Sequence, residues 1–79
     1  MSPSLPVVSG QQAVRAFKRL GYEVVRQRGS HLRLRHLHDP TRLPLTVPDH
    51  RDLKPGLLRR LIRDAQIDVA EFVRLLDAQ

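Results

Sequence analysis

Arg26-Gln27-Arg28-Gly29-Ser30-His31-Leu32-Arg33-Leu34-Arg35 sets one histidine among four arginines. Histidine is the side chain suited to moving a proton near neutral pH, and arginine grips phosphate in a two-pronged fork. Together they outline the chemistry of phosphodiester cleavage. Gly29-Ser30 suits a two-residue hairpin turn with glycine where φ must be positive. The spacing then pairs Arg28 with His31 and Arg26 with Arg33, and strand alternation puts all four on one face with Arg35. Gln27, Leu32, Val25 and Leu34 take the other face. Directly opposed like charges cost roughly 0.2–1 kcal/mol per pair, so such a face implies an anionic partner, of which RNA is the most direct.

The elements that must hold this hairpin are legible from periodicity. Ser9-Gly10-Gln11-Gln12 fits a capping box, and Ala13, Val14, Ala16, Phe17 and Leu20 then recur at helical spacing with Gly21 as the stop, giving a helix over 10–20. Strands are expected over 22–28 and 31–37. A turn-rich loop over 38–44 leads to a short third strand at Leu45-Thr46-Val47, closed by Pro48. A second helix begins near Pro55 and buries Leu57, Leu58, Leu61, Ile62 and Ala65, leaving Arg59, Arg60 and Arg63 outside that stripe. Asp68-Val69-Ala70-Glu71 marks a third helix to about Leu76, with Ile67 placed to staple onto Phe72. The expectation is an α+β fold, order α-β-β-β-α-α, with a three-stranded antiparallel sheet, helices on one face and arginines on the other. Strict alternation would put Tyr22 and Val24 on the polar face. A bulge, cover from the N-terminal segment, or Tyr22 stacking on a base would each resolve the conflict.

Composition narrows the class. The 79 residues suit a single domain over 1–79, with a core near the lower limit for unaided stability. The net charge is +6, and every basic residue except Lys18 and Lys54 is arginine. No acidic residue occurs between Val24 and His38, so the charge is concentrated rather than interleaved, as a polyanion or an acidic protein requires. Cysteine is absent, which removes disulfides and thiolate metal sites. No signal-like start and no apolar run near the ~20 residues needed to span a bilayer is present, so a cytoplasmic protein without a membrane segment is expected.

Among candidate site residues His31 leads. His50, in Pro48-Asp49-His50, follows the third strand and is the candidate second acid or base, set evenly against a solvated loop histidine. His36 and His38 beside Asp39 lack a third ligand at metal-site spacing and are taken as ordinary loop-edge polarity. Lys54 and Gly56 lie where a helix N-terminus favours phosphate, a weak signal by itself. The arginines of the second helix are as readily a solvated face as an RNA contact.

Gly21-Tyr22-Glu23-Val24-Val25-Arg26-Gln27-Arg28-Gly29-Ser30-His31 and Val47-Pro48-Asp49-His50 through Leu53-Lys54-Pro55-Gly56 closely resemble the HicA family of toxins, over nearly the whole chain. Leu5-Pro6-Val7 and Ser9-Gly10 are similar to that family's N-terminus, and the glycine-serine-histidine turn is its most specific motif. The resemblance implies a fold like a double-stranded RNA-binding domain and the activity of an mRNA-cleaving ribonuclease toxin. It also places the catalytic histidine on His31 and implies a HicB-type antitoxin that covers the active face. The residues themselves make Gly29 and Ser30 the turn shaping the site, and Arg26, Arg28, Arg33, Arg35 and Lys54 the expected RNA contacts. Neither metal nor cofactor is expected, and the free toxin is expected to be a monomer. The sequence departs from the family pattern at Leu57, commonly threonine, at Gln66, where a glycine usually ends the second helix, and in a long 38–44 loop. Two other readings compete with a ribonuclease: a non-catalytic RNA-binding module and an interaction protein for an acidic partner.

Overall fold

The computed structural model describes residues 4–78. Its elements are α1 (Gly10–Leu20), β1 (Tyr22–Arg28), β2 (His31–His36), β3 (Leu45–Pro48), α2 (Pro55–Asp64) and α3 (Val69–Asp77), the expected α+β order. The strands form one antiparallel sheet in the order β1-β2-β3. Leu32, Leu34, Leu45 and Val47 are buried while His31, Arg35 and Thr46 are exposed, so one sheet face meets the helices and the other is open.

Each helix begins for a local reason. In α1 the capping box forms in full: the Gln12 backbone N–H donates to Ser9 Oγ at 3.0 Å, and the Ser9 N–H to Gln12 Oε1 at 2.8 Å. Gly21, at φ 116°, ends the helix in the left-handed region. In α3 only half of the expected box is present. Asp68 accepts from the Glu71 N–H at 2.8 Å, but the Glu71 carboxylate instead pairs with Arg74, which holds it below its ordinary carboxylate range. Pro55 opens α2, whose N-cap Lys54 makes no side-chain capping bond.

The core joins both layers. Phe17 of α1 and Phe72 of α3 have ring centroids 5.3 Å apart, and Phe17 meets Tyr22 edge-on at 5.9 Å. Full burial of side chains of this size contributes roughly 1.5–3 kcal/mol each. Ile67 packs half-buried against the same cluster. Tyr22 reaches the core because the β1–β2 register shifts between Val24 and Arg26, which adds one residue, Val25, to the β1 strand. Of the three ways to reconcile the alternation conflict, the bulge is the one used. It corrects the expected position of Val25, which is 48% exposed instead of sharing the buried face of Leu32 and Leu34. The Tyr22 hydroxyl donates to Leu43 O at 2.7 Å, and burial pushes its pKa up to about 12.

The long 37–44 connection, which departs from the family pattern, closes the end of α2. Asp39 accepts from the Thr41 backbone and hydroxyl, bonds that hold its carboxyl below its ordinary range. Arg42 Nη1 donates to Ala65 O at 2.5 Å, and Gln66 Nε2 to Thr41 O at 3.0 Å. Gln66 has φ 61°, the left-handed backbone expected of the glycine it replaces. The loop and the departure at Gln66 are therefore coupled: the side chain and backbone of that residue are both tied to the loop.

Candidate active site on the open sheet face

The β1–β2 hairpin turns as expected. Gly29 takes φ 58°, and Arg28 pairs with His31, Gln27 with Leu32 and Arg26 with Arg33. Beyond the bulge the pairs are Val24 with Leu34, Glu23 with Arg35 and Tyr22 with His36. Arg26, Arg28, His31, Arg33 and Arg35 thus share the open face, with Glu23 opposite Arg35 as the one acid among these pairs. Arg33 is partly covered and its Nη1 donates to Thr46 Oγ1 at 2.8 Å, which fixes one guanidinium in the middle of the face.

His31 is the first residue of β2, exposed, with Pro48 of β3 on its other side. Beyond Pro48 the chain is clamped by three backbone bonds. Asp49 N–H donates to Ser30 O at 2.6 Å, Gly10 N–H to His50 O at 2.9 Å, and Leu53 N–H to Val8 O at 2.8 Å. The first locks the turn to the segment carrying His50, and the second locks that segment to the start of α1. The close approach of α1 requires glycine, because a Cβ at Gly10 would overlap Pro48 O and lie 3.0 Å from Pro48 C. Sequence reasoning missed this role for Gly10. Its only visible signal was a glycine inside a capped helix start, where any residue is tolerated.

The other expected site residues fall as follows. His50 follows Asp49, the residue bonded to the turn, while its own carbonyl accepts from Gly10 and its side chain is exposed. Lys54 is exposed at the head of α2, in the helix layer, and lines a cleft with residues of the N-terminal segment rather than the open sheet face. His36 is not loop-edge polarity. Its Nδ1 accepts from the His38 and Asp39 backbone N–H groups at 3.2 and 2.9 Å, so its proton sits on Nε2, which donates to Leu20 O at 2.8 Å. That ring is a structural joint between β2, the end of α1 and the 37–44 loop. Among the described residues no three His, Cys, Asp or Glu side chains gather where they could hold a metal ion. None of the helices described is long and apolar enough to cross a membrane.

The arrangement offers an imidazole among four arginines, one of them held in place, open to a large anionic substrate, with the backbone beside it held by neighbouring elements. Among curated proteins and solved structures none matches the chain. A family model described as HicA toxin of bacterial toxin-antitoxin matches residues 10–67, which takes in α1, the hairpin, β3, the clamped segment and α2. The chain therefore belongs to the HicA family, the toxins of bacterial toxin–antitoxin pairs.

Proposed function

We propose that this HicA-family toxin is an endoribonuclease that cleaves mRNA without a metal ion, with His31 as general base. The observation that carries the reading is the placement of His31: exposed at the head of β2, opposite Arg28, on the face shared by Arg26, Arg33 and Arg35. His31 takes the proton of the RNA 2'-hydroxyl, the 2'-oxygen bonds to the adjacent phosphorus, and the bond to the 5'-oxygen breaks. The products are a 2',3'-cyclic phosphate and a free 5'-hydroxyl. Arg26, Arg28 and Arg33 stabilise charge building on the phosphorane, and Arg35 extends the phosphate track. His50, which follows the Asp49 tied to Ser30, supplies the proton to the leaving 5'-oxygen. Gly29 and Ser30 shape the site by setting the turn, and Lys54 contacts RNA outside the sheet.

The partner is an acidic HicB-type antitoxin that lies over the open face, excluding RNA and neutralising the field that attracts it. The toxin acts in the cytoplasm, as a monomer when free. The test is purified protein with labelled single-stranded RNA in the presence of a chelator. Cyclic-phosphate products that vanish in His31→Ala support the reading. RNA binding without turnover in the parent would leave a non-catalytic RNA-binding module instead.

A further inference from the structure

The arginines divide into two groups by what they touch. Arg19 donates to Leu75 O at 2.7 Å, Arg33 to Thr46, Arg42 to Ala65 O, and Arg74 pairs with Glu71; all four are employed by the fold. On α2, the side chains of Arg59 and Arg60 make no hydrogen bond or ion pair among the described residues, and that of Arg63 meets only its neighbour Asp64, at 3.6 Å. Leu58, Leu61 and Ile62 are the buried side of this helix, so 3.6-residue periodicity sets Gly56, Arg59, Arg60 and Arg63 along its outer side. All four are exposed. The first turn carries no acidic residue and Lys54 stands at the N-cap, so one cation sits at the end of the helix where its dipole disfavours it.

A cleft of about 560 Å³ opens beside this stripe, between the N-terminal segment and the head of α2. Leu5, Pro6, Leu53 and Pro55 give it apolar walls, and Lys54 and Arg59 stand on it as cations. Its size falls in the range that holds a small organic ligand. Apolar walls beside exposed cations suit a nucleobase with its attached phosphate, and Asp52, the one acid in the lining, is an acceptor for an exocyclic amino group. Arg59 belongs to both cleft and stripe, so the two form one surface. The clamped segment from Asp49 to Lys54 joins that surface to the turn carrying His31.

Resting on the ribonuclease reading, we propose that this cleft and the outer side of α2 are a second RNA subsite, which takes an unstacked nucleotide of the strand being cleaved, away from the scissile phosphate. The strand crosses the clamped segment, seats one base in the cleft and lays its following phosphates on Arg59, Arg60 and Arg63. Only single-stranded RNA can do so, because a paired base is not free to enter a cleft. The consequence is a preference for substrates long enough to span both surfaces.

The experiment measures binding in a His31→Ala background, so that substrate is not consumed. Fluorescence anisotropy is followed for a short single-stranded RNA that covers the sheet face alone and for a longer one that also reaches α2. The double change Arg59→Gln with Arg63→Gln, and separately Val7→Glu at a cleft-lining residue that is 77% exposed, leave the core untouched. Each should weaken the longer RNA on the order of tenfold, and the arginine pair should lower its salt slope by about 0.7 for each phosphate no longer gripped. Affinity for the short RNA should be unchanged. Equal weakening of both lengths, or of neither, overturns the subsite. Absence of RNA binding at any length overturns it together with the ribonuclease reading, whereas length-dependent binding by a parent that does not cleave overturns the ribonuclease alone.

Discussion

Replacing Gly10 by alanine separates local from tertiary causes, because the two predict opposite signs. As the first residue of α1 behind an intact Ser9 cap, Gly10 costs the helix up to about 0.5–1 kcal/mol relative to alanine on propensity. The added Cβ, however, would overlap Pro48 O and sit 3.0 Å from Pro48 C and 3.1 Å from Asp49 Cα. All three are backbone atoms and none can swing aside. Non-bonded carbon contacts ordinarily lie near 3.5 Å or beyond, so relief needs a relative movement on the order of 1 Å. That movement opens the Gly10 N–H to His50 O bond, 2.9 Å long in a residue that is buried. Overpacking costs roughly 1–3 kcal/mol and a buried donor left unpaired roughly 1–3. After the propensity gain is subtracted, a net loss of about 1–5 kcal/mol is expected. Because the displaced segment also holds Ser30 through Asp49, RNA cleavage should fall by an order of magnitude or more in protein that is still folded. Denaturant unfolding gives the stability, exchange of the Asp49 amide reports the clamp, and a cleavage assay below the unfolding transition gives the rate. A Gly10→Ala protein as stable as the parent, with Asp49 equally protected, would refute the reasoning.

Four further outcomes are expected. His31→Ala should abolish cleavage and growth inhibition while leaving the unfolding midpoint nearly unchanged, since the residue is exposed; an active, folded variant sinks the assignment. Gly21→Ala should destabilise by about 2–4 kcal/mol, since it strains a residue at φ 116° and sets a Cβ 2.5 Å from His36 Nε2; a neutral effect in thermal unfolding would contradict the His36 joint. Tyr22 keeps its proton in the fold to about pH 12 but loses it near 10 when unfolded, so stability should fall as pH rises from 10 to 12. Tyr22→Phe should flatten that slope, and an identical alkaline profile would exclude Tyr22 as its source. Asp39 is held below its ordinary range, so its contribution is present above the unfolded carboxylate pKa and lost on acidification through the folded one. Exchange in the 37–44 loop should therefore rise at acid pH, and Asp39→Asn should remove that dependence.

The sequence by itself determined the elements and the hairpin. Capping residues, helical periodicity and a glycine-serine turn are local signals, acting through bonds within four residues, and they placed α1, the β1–β2 turn and the pairing of Arg28 with His31 as the structure has them. The resemblance to HicA toxins rested on the same contiguous residues. Only the tertiary structure decided what depends on groups far apart in the chain. Whether Val25 bulges is set by the need to bury Tyr22, whose hydroxyl reaches Leu43 O twenty-one residues on, because the energy of a filled core exceeds that of a regular ladder. His36 became a joint because the Leu20 carbonyl, sixteen residues away at the end of α1, meets its ring on the side opposite the local His38 and Asp39 N–H groups. The split between employed and free arginines was equally invisible, since all twelve look alike until the fold brings carbonyls and carboxylates to some of them. Gly10 is the sharpest case: its helix gives no reason for a glycine, and the reason is a strand end nearly forty residues away whose backbone occupies the space a side chain would need.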